Sequence, residues 1–177
     1  MTQKDNSIWL FGYGSLIWRP DFAYLARSVG SIDGWTRRFW QGSHDHRGVP
    51  EAPGRVVTLV SDPAAQCTGM AYKIDAGLAA EIFTQLDYRE KNGYQRLDID
   101  CQLRGGTTVS CVTYIAGPAN EAYLGEAPLA DIARQIETSH GPSGSNKEYL
   151  LKLATALREL GISDDHVFAL EGIVTDA

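Results

Sequence analysis

The chain has 177 residues, a length that suits one domain and leaves no room for two well-buried cores and a linker. Sixteen basic against 22 acidic side chains give a formal net charge of −6, the wrong sign for a protein that neutralises phosphate backbones or anionic lipid. A hydrophobic content of 44% beside 21% charged residues argues against disorder, and three cysteines without CxxC spacing argue against a disulfide framework or a cysteine zinc site.

In chain order, residues 1–7 read as a polar tail of a single domain over 1–177, and the apolar run Ile8 to Phe11 is too short for a signal peptide or a membrane span. Together with the cysteine pattern this places the protein in a reducing cytoplasm. Ile8 to Phe11 reads as a buried strand that runs into the tight loop Gly12-Tyr13-Gly14-Ser15. Further strands are expected around Gly30 to Gln41, Arg55 to Val60 and Thr68 to Ile74. An apolar stripe of Leu78, Ile82 and Leu86 behind an Asp75 cap predicts a helix that stops before Gly93. Leu97, Ile99, Cys101 and Leu103 then alternate with polar residues, and Gly105-Gly106 separates them from Val109 to Ile115, which predicts a hairpin. A two-residue turn there sets position 101 against 110, so Cys101 and Cys111 are expected on opposite faces.

Three helices follow. Pro128 opens a stripe of Leu129, Ile132, Ala133 and Ile136 that closes at Gly141-Pro142. Ser145 and Glu148 have the spacing of a capping box ahead of Leu150, Leu153, Ala154 and Leu157, with a stop at Gly161. A last helix spans about Asp164 to Val174. Strands first, one helix among them and helices at the end predict an α+β fold, with six or seven short strands curled into a barrel-like body.

Four groups of residues carry chemistry. The Gly12 to Ser15 loop follows a strand and can turn backbone N–H groups toward an anion, although it matches no dinucleotide, P-loop or nucleophile-elbow motif; a structural turn reads equally well. His44-Asp45-His46 places two imidazoles near a carboxylate, but a metal needs a further ligand, and His140 and His166 are far along the chain. Arg37, Arg38, Arg47 and Arg55 crowd one region; most are expected to pair locally, and one to meet a carboxylate ligand. Glu90 lies where the Leu78 stripe runs out, and reads first as a solvated helix-end acid and second as a base whose pKa the helix end raises, with Arg89 and Lys91 opposing.

The blocks Phe11-Gly12-Tyr13-Gly14-Ser15-Leu16-Ile17-Trp18, Arg38-Phe39-Trp40-Gln41-Gly42-Ser43, Pro53-Gly54-Arg55-Val56-Val57, Leu86-Asp87-Tyr88-Arg89-Glu90-Lys91 and Gly141-Pro142-Ser143-Gly144 with Glu148-Tyr149-Leu150 occur in one order. Together they closely resemble the ChaC-type glutathione-specific γ-glutamylcyclotransferases. The resemblance implies a small mixed β-barrel with flanking helices and cleavage of glutathione to 5-oxoproline and cysteinylglycine. It implies that Leu10, Phe11 and the Gly12, Tyr13, Gly14 and Ser15 loop hold the γ-glutamyl group, that Glu90 is the acid/base, and that Tyr149 stands near the site. It requires no cofactor and no metal, because the γ-glutamyl amine attacks a carbonyl of its own molecule. Its partner is a small molecule, neither nucleic acid nor membrane. The alternatives are another γ-glutamyl amide or dipeptide as substrate, a ligand-binding regulatory protein without turnover, and, more remotely, a metal-dependent hydrolase built on His44 and His46.

Overall fold

Two long strands carry the architecture of the computed structural model, which describes residues 6–90 and 93–175. The strands in chain order are β1 (Ser7–Gly12), β2 (Ala26–Ser43), β3 (Gly54–Asp75), β4 (Gln95–Leu103) and β5 (Thr108–Ile115), followed by the two-residue strands β6 (His140–Gly141) and β7 (Gly144–Ser145). Strands β1 to β5 close into a barrel in the order β1-β3-β2-β4-β5, and the seam between β1 and β5 is parallel. The other pairings in the barrel are antiparallel, so the barrel is mixed. Helices α1 (Ala76–Arg89), α2 (Leu129–Thr138), α3 (Asn146–Glu159) and α4 (Asp165–Thr175) flank it. None of the described helices is long and apolar enough to cross a membrane.

Three expectations need correction. Arg55 to Val60 and Thr68 to Ile74 are parts of the single strand β3, because the break between them is absorbed as a bulge. The register jumps from Asp33 opposite Gln66 to Trp35 opposite Ser61, and Pro63 falls in the unpaired stretch, where its missing N–H costs nothing. Gly34 takes the facing corner at φ 84°. The second correction concerns the hairpin. Leu103 N–H donates to Thr107 O at 2.8 Å, which leaves a three-residue loop with Gly106 at φ 93° in place of a two-residue turn. That one-residue change puts Cys101 opposite Val109 and Cys111 opposite Ile99, so both thiols face the barrel interior as diagonal neighbours, buried and free. Ser7, assigned to the tail, already pairs with Asp75 in β1.

The helix signals hold at their caps. Asp75 accepts the Gly77 N–H at 2.7 Å, Ser145 accepts the Glu148 N–H at 3.1 Å and Asp164 accepts the Val167 N–H at 3.0 Å. Glu148 turns its own carboxylate outward to Arg47 and Lys152. Leu78 and Leu129, counted in the apolar stripes, are exposed, while Ala79 and Ala133 face inward, because the small residues let α1 and α2 lie close to the barrel. The main core joins Phe11, Phe39 and Tyr72 of the barrel to Ile132, Ile136, Leu150, Leu153 and Leu170 of α2, α3 and α4. A smaller cluster of Leu10, Ile74, Ile82, Leu86 and Tyr114 seats α1. Burying a leucine or isoleucine of this kind contributes about 1.5–3 kcal/mol.

Candidate active site

The cleft forms where β1 ends, α1 ends and α3 begins, and it encloses about 960 Å³ with its open mouth included. Phe11, Gly12, Tyr13, Gly14, Ser15, Glu90 and Tyr149 all line it, together with Asp45, His46, Arg47, Arg89, Tyr94 and Ser143. Leu10 is the exception among the residues that the resemblance implies. Its side chain is fully buried under α1 in the smaller cluster, because alternate residues of a strand point to opposite faces.

The loop after β1 is held from behind. Arg37, 2% exposed, donates through Nε to Tyr13 O at 2.7 Å, through Nη1 to Asp164 at 2.6 Å and through Nη2 to Thr68 O at 2.6 Å. In a trans peptide the N–H points opposite to the carbonyl, so the Gly14 N–H is turned away from Arg37. Neither Gly14 N–H nor Ser15 N–H donates to a described residue, and both residues line the cleft. Gly14 has an ordinary φ of −129°; what demands glycine is space, since a Cβ there would lie 3.0 Å from both the Tyr149 hydroxyl and Val57 Cγ2.

The last turn of α1 delivers Glu90. Its N–H closes the helix on Leu86 O at 2.8 Å, and its carboxylate receives no hydrogen bond from a described residue. Burial raises its pKa to about 7, opposed by the neighbouring Arg89 charge and assisted by the carboxylate of Asp45. The solvated helix-end acid read first from the sequence is thus a partly buried one. Lys91 and Asn92 lie outside the described residues. Arg89 stitches the helix end to the loop, with Nη2 on Ser15 Oγ at 2.6 Å and Nη1 on Arg19 O at 3.0 Å.

The other carboxylates near Glu90 in sequence or space are already engaged. Asp87 accepts from Arg96 at 2.5 Å and from the Tyr114 hydroxyl at 2.6 Å, and these bonds lower its pKa. Glu148 is lowered by Lys152 at 2.9 Å and Arg47 at 3.0 Å. Groups held as anions make weak bases near neutral pH, whereas a carboxyl at about 7 can accept and return a proton.

Tyr149 stands across the cleft, edge-on to Trp18 at 5.3 Å and to Phe39 at 5.9 Å between ring centres. Its oxygen accepts the Val57 N–H at 3.4 Å, which leaves the phenolic proton available to a ligand. Burial pushes its pKa far up, so it stays a donor. Tyr13 has its hydroxyl committed to Tyr114 O at 2.5 Å and contributes its backbone.

The arginine cluster separates cleanly. Arg37 backs the loop, Arg55 binds Gln135, Phe39 O and Gly125 O, Arg38 donates to Arg37 O, and Arg47 alone of the four lines the cleft. His46 and Asp45 also reach it, with His46 Nδ1 3.1 Å from Ser143 Oγ, while His44 does not line it. Among the described residues no three His, Cys, Asp or Glu side chains come together to hold a metal. Arg89 and Tyr94 were not singled out as site residues by the sequence; the signal available was their position beside Glu90 and after the Gly93 turn.

Comparison with known proteins gives the family of the chain. The chain is 42% identical over 172 residues to glutathione-specific gamma-glutamylcyclotransferase 1 of Danio rerio, spanning 94% of this chain and 88% of that protein. It is 41% identical over 171 residues to the Homo sapiens protein of the same name, spanning 93% and 77%. A crystal structure of the gamma-glutamyl cyclotransferase specific to glutathione from yeast superposes with a TM-score of 0.91 at 33% identity, over 97% of each chain. The family described as ChaC-like protein matches residues 8–177, and the chain belongs to it.

Proposed function

We propose that this chain cleaves glutathione to 5-oxoproline and cysteinylglycine, with Glu90 as the single proton shuttle. The observation that carries the mechanism is a partly buried carboxyl with a pKa of about 7, unbonded by described residues, facing a loop that offers two unused N–H groups.

A γ-glutamyl α-amine has a pKa of about 8 and arrives mostly as ammonium at neutral pH. Glu90 takes one of its protons, and the freed lone pair attacks the γ-carbonyl carbon to close a five-membered ring. The Gly14 and Ser15 N–H groups, which donate to no described residue and belong to residues that line the cleft, stabilise the oxyanion that develops. As the tetrahedral species collapses, the C–N bond to the cysteine residue breaks, Glu90 gives its proton to the leaving nitrogen, and the second ammonium proton passes from the ring nitrogen to that same amine, so that 5-oxoproline keeps one N–H, cysteinylglycine leaves as ammonium and Glu90 ends as a carboxylate. Nucleophile and electrophile belong to one molecule, so the protein's task is to hold the amine about 3–3.5 Å from the carbonyl carbon. Tyr149 donates its phenolic proton to the γ-glutamyl end, across the narrow gap beside Gly14. Arg89 fixes the distance between base and loop through Ser15 and Arg19.

The cytoplasm is the proposed setting, supported by three buried free thiols, and a small molecule the proposed partner, supported by the net charge of −6. The test is purified protein incubated with glutathione, γ-glutamylcysteine and a panel of γ-glutamyl amino acids, scored for 5-oxoproline. Glutathione is expected to be turned over far better than the panel; release from the panel alone moves the substrate assignment, and release from none leaves a binding protein.

A further inference from the structure

We infer that Arg47 forms the subsite for the glycyl carboxylate of glutathione and is the specificity-determining residue at the far end of the cleft. The inference rests on the glutathione reading and adds what that reading leaves open, which is how the leaving dipeptide is recognised.

Three arginines line the cleft, and their donors are spent differently. Both terminal nitrogens of Arg89 are committed to Ser15 Oγ and Arg19 O. Arg19 is half exposed and pairs with Asp21 at 2.8 Å, in a setting where water competes for any ligand. Arg47 is 5% exposed, yet only Nη1 is engaged, by Ser145 O at 3.1 Å and Glu148 at 3.0 Å. Its Nε and Nη2 donate to no described residue. A guanidinium shielded from water, oriented from one side and open on the other, suits a second carboxylate bound through two parallel N–H groups.

Tyr149 touches both the loop end of the cleft and Arg47. The γ-glutamyl end lies beside Gly14, where a Cβ would lie 3.0 Å from the Tyr149 hydroxyl. The Arg47 guanidinium lies over the ring of the same tyrosine, its Cζ 5.7 Å from the ring centre. Two extended residues beyond the scissile amide reach about 7 Å, so the glycyl carboxylate lies well away from the γ-glutamyl end. The surroundings are arranged to keep Arg47 in place. Its backbone N–H donates to Ser43 Oγ at 2.9 Å, and a Cβ on Gly144 would come within 2.9 Å of Nη1.

The test compares glutathione with its glycine ethyl ester, which keeps the γ-glutamyl and cysteinyl groups and removes the second negative charge. Wild-type protein is expected to have a KM for the ester about ten- to a hundredfold higher, as losing a hydrogen bond to a charged group implies. In Arg47→Met the KM for glutathione should rise to that of the ester, so the ratio of kcat/KM for the two substrates falls to near one. Arg47→Lys, which keeps the charge on Glu148, should retain part of the preference and serves if the methionine variant does not fold. Equal use of both substrates by wild-type protein overturns the inference. So does a uniform loss on both in the variants, which would assign Arg47 to the α-carboxylate of the glutamyl end. Release of 5-oxoproline from neither substrate by wild-type protein defeats the glutathione reading itself.

Discussion

The seam between α4 and the barrel and the cleft on the other side of the same loop treat buried polar groups in opposite ways. At the seam, Arg37 uses three nitrogens on Asp164, Tyr13 O and Thr68 O, and His166 accepts the Phe39 N–H at 3.0 Å. In the cleft, Glu90, two loop N–H groups and half of Arg47 have no protein partner among the described residues. Burial without a partner costs free energy, so a fold keeps such groups where a ligand supplies the missing bonds. The contrast implies that substitutions at the seam affect stability first, and those in the cleft affect activity first.

The largest effect is expected at Glu90. Glu90→Gln keeps size and removes the proton transfer, so kcat should fall about 10²- to 10⁴-fold while glutathione still binds; 5-oxoproline release and calorimetric binding measure the two. Near-normal turnover would eliminate Glu90 as the base. At the seam, Arg37→Met leaves Asp164 buried without its cation and should cost about 3–5 kcal/mol in urea unfolding, the usual cost of breaking a buried ion pair. A loss under 1 kcal/mol would show that the seam is not under tension of this kind.

The same two regions should respond oppositely to pH. Glu90 has a folded pKa of about 7 against an ordinary 4.5, so the folded state holds its proton more tightly and stability falls as pH rises from about 4.5 to 7. His166 is lowered to about 4 from 6.5, chiefly by burial, so the unfolded state binds the proton more tightly and stability falls as pH drops from 6.5 to 4. Glu90→Gln should therefore be more stable than wild type at pH 8 by about 3 kcal/mol, with the difference vanishing below about pH 4.5. Melting curves of both proteins at the two pH values decide it; a constant difference would refute the raised pKa. The smallest effect is expected at Tyr149→Phe, which keeps both ring contacts and loses one donor, for a roughly two- to tenfold fall in kcat/KM. Unchanged kinetics would return Tyr149 to packing alone.

Local signals in the chain determined much of this. Asp75 and Ser145 are short polar residues that satisfy helix N–H groups within three positions, so these caps were legible without tertiary information. The α+β class, the loop after the first strand and, through resemblance, Glu90 and Tyr149 were legible as well, since each rests on residues adjacent in sequence. Tertiary structure decided the rest. Three residues in the hairpin loop instead of two moved Cys101 and Cys111 onto one face, a choice made by β4 joining β2 and β5 joining β1 as the barrel closes. Strand alternation took Leu10 from the cleft into the cluster beneath α1. Four arginines in one stretch are equivalent in sequence; only distant partners, Asp164 for Arg37 and Gln135 for Arg55, distinguish the two that tie the barrel to the helical side from Arg47, which lines the cleft. Burial and partnership are sums over distant neighbours, and so the pKa of Glu90 and the spare donors of Arg47 are properties of the folded chain.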